Sequence, residues 1–384
     1  MSIKSVYMDY QSTTPLDERV LASMMPYLTE KFGNPHSAEH RFGWEAEAAI
    51  DVAREQVAAV ITAKPEAITF LSGATEANNL VLKGVMEVWG KSKPHLITVA
   101  TEHKCVLEAA AACARAGYRL TVLPVGTDGL IDLSLLAHAL DNDTALVSVM
   151  AVNNEIGVIQ PLAEIGALCR ERGVLFHTDA AQAYGKIPLD VEAMNVDFMS
   201  ISAHKIYGPK GVGALYRRQE RSTVIAPQMH GGGQEGGMRA GTQAPALVAG
   251  LGKAAEICAA EMAQEHSRLA TMMARMLRAL EQTAPGVIIN GHRDLRWIGN
   301  LSLSFQGFDG DRLFADIRGL AVSSGAACAS AVTGPSYVLD AIGLSEKDAK
   351  SSIRIGIGRF TTDEEIDFAI AKVSEAVKKQ GGCP

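Results

Sequence analysis

Phe198-Met199-Ser200-Ile201-Ser202-Ala203-His204-Lys205-Ile206-Tyr207-Gly208-Pro209-Lys210-Gly211 runs from an apolar strand into a small polar turn and then into a Gly/Pro-rich loop. Six more apolar runs share its spacing. They are Ile68 to Leu71, Leu96 to Val99, Leu120 to Leu123, Leu146 to Val149, Val174 to His177 and Gly213 to Tyr216. Short Val/Ile/Leu-rich strands alternating with helical patterns such as Glu164 to Arg172 predict a mostly parallel sheet covered on both faces. Ligands of such sheets bind beyond the carboxyl ends of the strands. The polar residues that follow each run are therefore the candidates for chemistry.

Three of these strand ends carry complementary groups. Ser72-Gly73-Ala74-Thr75-Glu76-Ala77-Asn78-Asn79 opens a helix whose free backbone N–H groups suit a phosphate, although small residues there are more often an ordinary N-cap. Asp179, in Asp179-Ala180-Ala181-Gln182, ends an apolar strand, where a carboxylate needs a cation or a donor. Lys205 is either a solvated rim residue or an imine-forming nucleophile. A phosphate cradle, an Asp and a Lys at one sheet edge are what pyridoxal phosphate requires. His103, in Thr101-Glu102-His103-Lys104, and Asn153-Asn154-Glu155 follow two further strands.

After Gly241 the pattern changes. Pro245 to Gln282 has helical spacing, as one long helix or two. Leu301, Leu303 and Phe305 then alternate with Ser302 and Ser304, and Ile353, Ile355 and Ile357 share a face opposite Arg354. Period-two alternation predicts a half-covered antiparallel sheet. Arg354 is then either on a solvated face or a bidentate clamp for a carboxylate. The first dozen residues have no readable pattern.

The composition sets outer limits. The chain has 384 residues, 47% hydrophobic, 21% charged and 5% aromatic, and a net charge of −7. That suits two folded domains and disfavours disorder or direct nucleic-acid binding. The longest apolar runs are eight or nine residues, against about 20 for a membrane span. The first residues lack a secretory pattern, so the expected location is the cytoplasm. Six cysteines without a C-x-x-C pair look neither disulfide-stapled nor zinc-binding. Cys113, Cys169 and Cys258 fit helical packing, and Cys383 lies in the terminal Gly-Gly-Cys-Pro. Cys328, in Ser323-Ser324-Gly325-Ala326-Ala327-Cys328-Ala329-Ser330, is either a tolerated small residue or a thiol nucleophile on a loop.

In these motifs the chain resembles the cysteine desulfurases of the NifS/IscS type, within the class V aminotransferases of fold type I that depend on pyridoxal phosphate. The likeness also covers Tyr7 to Pro15, Phe32 to Ser37, Gly231 to Glu235, Arg239 to Thr242 and Ser351 to Arg354. It implies a seven-stranded, mostly parallel sheet in a large α/β domain of residues 14–261. Residues 1–13 and 262–384 would form a smaller α+β domain carrying the Cys328 loop.

The resemblance further implies that Lys205 holds the cofactor aldehyde, Asp179 pairs with its ring nitrogen, Gln182 bonds its ring hydroxyl and His103 stacks on the ring. Ala74, Thr75, Ser202 and His204 would hold the phosphate, with Thr242 reaching in from the other subunit of a homodimer. Asn154, a cofactor residue too, would bind the L-cysteine carboxylate with Arg354, and Asn34 would line that pocket. Cys328 would accept the sulfur and pass it to an iron–sulfur scaffold or another sulfur-acceptor protein, with His103 carrying a proton. A selenocysteine lyase or another class V enzyme is the alternative. Cys328 argues against a transaminase. Gly236 departs from the family, which usually has Arg there. The stretch from Cys328 to Arg354 resembles the longer-loop members, which favour protein acceptors.

Overall fold

A computed structural model describes residues 5–219, 224–284, 286–324 and 336–381. Strand β1 (Val6–Tyr7) precedes helices α1 (Glu18–Thr29) and α2 (Arg41–Ala59). Seven strands follow: β2 (Ile68–Leu71), β3 (His95–Val99), β4 (Arg119–Leu123), β5 (Thr144–Ser148), β6 (Leu175–Asp179), β7 (Phe198–Ser202) and β8 (Gly213–Arg217). They form one sheet in the order β2-β8-β7-β6-β5-β3-β4. Every pair is parallel except those that β8 makes with β2 and β7. The seven apolar runs of the sequence are these seven strands.

Both faces of the sheet are covered, which is why the runs are continuously apolar. Leu96, Leu146, Phe198 and Leu215 pack under helices α3 (Ala74–Trp89) and α4 (Lys104–Arg115). Their neighbours Ile97, Val147, Met199 and Ala214 face the main core, which continues into α2 and the long helix α7 (Pro245–Thr283). Helices α5 (Leu133–Ala139) and α6 (Leu162–Glu171) complete the connections between strands.

α7 (Pro245–Thr283) is a single unbroken helix, so the expected domain border near 262 falls inside it. Arg268 on α7 donates to the carbonyl oxygens of Thr361 (2.7 Å) and Arg359 (2.7 Å), which ties the helix to the chain beyond the second sheet. That sheet contains β9 (Val287–Ile289), β10 (Asn300–Phe305), β12 (Ser323–Ser324) and β13 (Ser352–Gly356), all antiparallel. β1 pairs separately with β11 (Leu320–Ala321).

The expectation of a half-covered second sheet is corrected. β10 and β13 are buried at every residue. The serine face is satisfied internally instead of by water. Ser304 Oγ donates to Asn290 Oδ1 (2.7 Å), Asn290 Nδ2 donates to Ser302 Oγ (3.0 Å), and Ser304 and Ser352 share a hydrogen bond of 2.6 Å. A buried polar face is stable only when its groups are paired in this way.

Candidate active site

Parallel strands place their carboxyl ends on one edge, and the candidate residues gather there. They surround a cavity of about 550 Å³. Ala74 and Thr75 come from the start of α3, His103 from beyond β3 and Asn154 from beyond β5. Asp179 and Gln182 come from the end of β6, and Ser202, His204 and Lys205 from the end of β7. Arg354 enters from β13.

At one end of the cavity α3 begins without a side-chain cap at Gly73 (φ 151°, ψ 178°), backbone that only glycine adopts readily. An uncapped helix start of this kind leaves N–H groups facing the cavity mouth. Glu76 binds the Ser72 N–H (2.6 Å) and accepts from Arg239 Nε (3.0 Å), which fixes the approach to the helix. Ser202, His204, Lys205 and Lys210 line the cavity as well. Burial and the charge of Lys205 depress His204 to about 4, so it is a neutral ring, with Nδ1 on Thr13 Oγ1 (3.1 Å).

Asp179 is 4% exposed. Its Oδ2 accepts from Asn78 Nδ2 (2.7 Å) and its Oδ1 from the Ala181 N–H (2.9 Å). Two neutral donors fix the carboxylate without neutralising it. Glu102 is fully buried, and burial followed by the charge of Asp179 pushes its carboxyl well above the usual carboxylate range. It holds the Met150 N–H (2.5 Å).

His103 caps α4. Its Nδ1 accepts from the Cys105 N–H (3.2 Å) and lies 2.9 Å from Cys105 Sγ. Burial, reinforced by Lys205, lowers its pKa, so the ring is neutral. A backbone N–H can only donate, so Nδ1 is the acceptor and Nε2 carries the proton. Lys205 Nζ donates to the carbonyl oxygens of Gln11 (2.6 Å) and Ser12 (2.7 Å).

Arg354 is buried, not solvated. It pairs with Asp9 Oδ1 (2.7 Å) and donates to Ser12 Oγ (2.9 Å), Ser323 Oγ (2.8 Å) and the Asn154 carbonyl (3.0 Å). Its Nε and the Asn154 Oδ1 are buried without a partner, as polar atoms awaiting a ligand would be.

Pyridoxal phosphate fits these residues. An uncapped helix start beside Ser202 and His204 suits its phosphate, Asp179 suits its ring nitrogen, Gln182 its ring oxygen and Lys205 its aldehyde.

Two expected residues are not brought to this cavity. Asn34 is exposed, and its Oδ1 is occupied by the His36 N–H (3.0 Å) in a local turn. Thr242 is exposed beside a separate cavity of about 160 Å³, on the far side of Ser72 and Gly211. Cys328 lies outside the described residues. Gly236 has φ 61°, a left-handed backbone that an Arg would adopt only at a cost, so the departure from the family suits this turn. Sequence reasoning missed Gln11, Ser12 and Cys105, which all line the cavity. Burial and Asp179 push the Cys105 thiol up to about 12, so it is no nucleophile at neutral pH.

A family model described as aminotransferase class V matches residues 6–368. The chain is 53% identical to a protein of Rickettsia prowazekii (strain Madrid E) named cysteine desulfurase IscS, over 97% of this chain and 91% of that one. A solved structure titled NifS-like protein superposes with a TM-score of 0.90 at 37% identity, covering 98% of this chain and 100% of that chain. Another, titled SspA in complex with cysteine, gives 0.84 at 37% identity over 93% and 100%. The chain belongs to the class V aminotransferase family and, within it, to the pyridoxal-phosphate-dependent cysteine desulfurases.

Proposed function

We propose that this chain converts L-cysteine to L-alanine and carries the released sulfur as a persulfide on Cys328 to a sulfur-acceptor protein, for iron–sulfur cluster assembly or another thiolation. The carrying observation is that the two described flanks of the Cys328 segment are tied to Arg354, which lines the cavity, and to Glu102, the neighbour of the lining residue His103. Ser323 is bound to Arg354 (2.8 Å), and the Tyr337 hydroxyl donates to the Glu102 carbonyl (2.6 Å).

Pyridoxal phosphate supplies the electron sink for the carbanion formed at the substrate Cα. The chain supplies the rest. Arg354 and Asn154 bind the substrate carboxylate, with Asp9 holding the guanidinium in place. Lys205 Nζ, held by the Gln11 and Ser12 carbonyls, takes the proton from Cα and returns one to Cα when alanine forms. The Cys328 thiolate attacks the substrate sulfur, and the Cβ–S bond breaks as the S–S bond forms. The electron pair of the broken bond stays with Cβ, which is then protonated, so that cysteine and a thiol become alanine and a persulfide. His103 serves as a proton carrier at this stage, taking up one proton for each that it passes on.

We further propose that the chain acts as a cytoplasmic homodimer, with Thr242 completing the partner's phosphate site. Among the described residues no helix is long and apolar enough to cross a membrane. Phe32, Phe42 and Trp44 are 50–69% exposed, and the first two rings stack at 5.6 Å. Exposed aromatics so grouped mark an interface. Light scattering should give twice the chain mass, and Trp44→Glu should shift it toward one; a monomeric wild type contradicts the dimer.

Mixing the holoenzyme with one equivalent of L-cysteine and no reductant tests the reaction. One alanine should form per chain, and the Cys328 peptide should gain one sulfur atom. Alanine without sulfur on that peptide contradicts the proposal.

A further inference from the structure

Behind the cavity a second charged side chain reaches Gln182. Lys186 is 9% exposed and Gln182 is 4% exposed. Lys186 Nζ donates to Gln182 Oε1 (2.8 Å), and Gln182 Nε2 donates to the Gln11 carbonyl (2.7 Å). The other side of Lys186 borders a groove containing Thr62, Asp190 and His266. The reaction described above gives this lysine no task, and burying an amine is costly.

We infer that Lys186 is a positioning residue. By occupying the Gln182 oxygen it obliges the amide nitrogen to face the cavity, where the second N–H donates to the ring oxygen of the bound cofactor. The inference rests on the cofactor reading above. A side-chain amide is chemically two-faced, and its orientation is set by its partners. Here both partners agree: the Gln11 carbonyl accepts only from nitrogen, and a lysine ammonium donates only to oxygen. Without Lys186 the amide oxygen would be a buried acceptor with no donor, and turning the amide toward another donor would withdraw the N–H from the ring oxygen.

The surroundings of Lys186 fit such a role. Burial lowers its pKa to about 7, helped by the charge of Lys205, while Cys258 and Glu265 act in the opposite direction. Either protonation state keeps at least two N–H bonds, so the hold on Gln182 persists as the amine titrates.

A donor to the ring oxygen stabilises its anionic form and so favours loss of the proton from the link to Lys205. The test follows the visible absorbance band of the holoenzyme against pH. Lys186→Met should raise its titration midpoint by about one unit, and Gln182→Met should raise it by a similar amount. Since Lys186 acts through Gln182, the double variant should show no further shift. A purely structural lysine would leave the midpoint in place.

An unchanged midpoint in Lys186→Met overturns the inference, as does a further shift in the double variant, which would mean that charge acts directly through space. If Lys186→Met does not fold, Lys186→Gln keeps a donor without the charge. A midpoint nearer to wild type than to Gln182→Met supports the inference, and one matching Gln182→Met overturns it. A wild type without any titrating visible band removes the cofactor reading itself, which is a different failure.

Discussion

Replacing Lys205 by alanine should lower turnover of L-cysteine by about a thousandfold or more, the scale of losing a positioned acid–base group. Its Nζ is held by the carbonyls of Gln11 and Ser12 at 2.6 and 2.7 Å. No neighbouring side chain replaces it. The lowered pKa values of His103 and His204 make both weak bases, and Lys186 is turned toward Gln182. The variant should still bind pyridoxal phosphate, because the start of α3, His204 and Asp179 remain. Borohydride should fix the cofactor irreversibly to the wild-type chain and leave it dissociable from the variant. Removing this cation also relieves a charge that lowers the pKa of His103, His204 and Lys186, so all three should titrate at higher pH. Fixation of the cofactor to the variant, or turnover within tenfold of wild type, would move the role elsewhere.

The large sheet was legible because each strand is an unbroken apolar run with both faces buried. Its active edge was legible because parallel strands deliver their next polar residues to one place. That rule alone made Asp179, Lys205 and His103 candidates, and all three line the cavity. Gln11 and Ser12 were not, since they hold Lys205 through backbone carbonyls that every residue possesses. Cys105 carried a signal that went unused: it lies two residues beyond His103, in the first turn of the helix that His103 caps.

The second sheet misled for a different reason. Alternating serines predict a face toward water, and the pattern cannot distinguish water from Asn290. The solvated alternative for Arg354 depended on that face, and its burial at the cavity leaves the carboxylate clamp. Asn34 and Thr242 came from resemblance, and within one chain neither reaches the cavity. Lys186 stood in plain view four residues after Gln182, one helical turn by spacing, yet only its burial and hydrogen bond gave it a role.

Cys328→Ala should have the second largest effect and bears most directly on sulfur transfer. The cavity can bind and deprotonate the substrate without this residue, but the Cβ–S bond needs an acceptor for its sulfur. Among the described residues the thiol in the cavity is Cys105, whose pKa of about 12 leaves almost no thiolate at neutral pH. It cannot stand in. Turnover should therefore fall by about a hundredfold or more, the scale of losing a nucleophile, while cofactor binding and its visible absorbance stay as in the wild type. The measurement to make is alanine and sulfide release from L-cysteine with excess reductant, for wild type and Cys328→Ala side by side. Equal amounts of both products from the wild type and neither from the variant are the predicted result. A Cys328→Ala enzyme that releases both as fast as the wild type would contradict persulfide transfer through this residue.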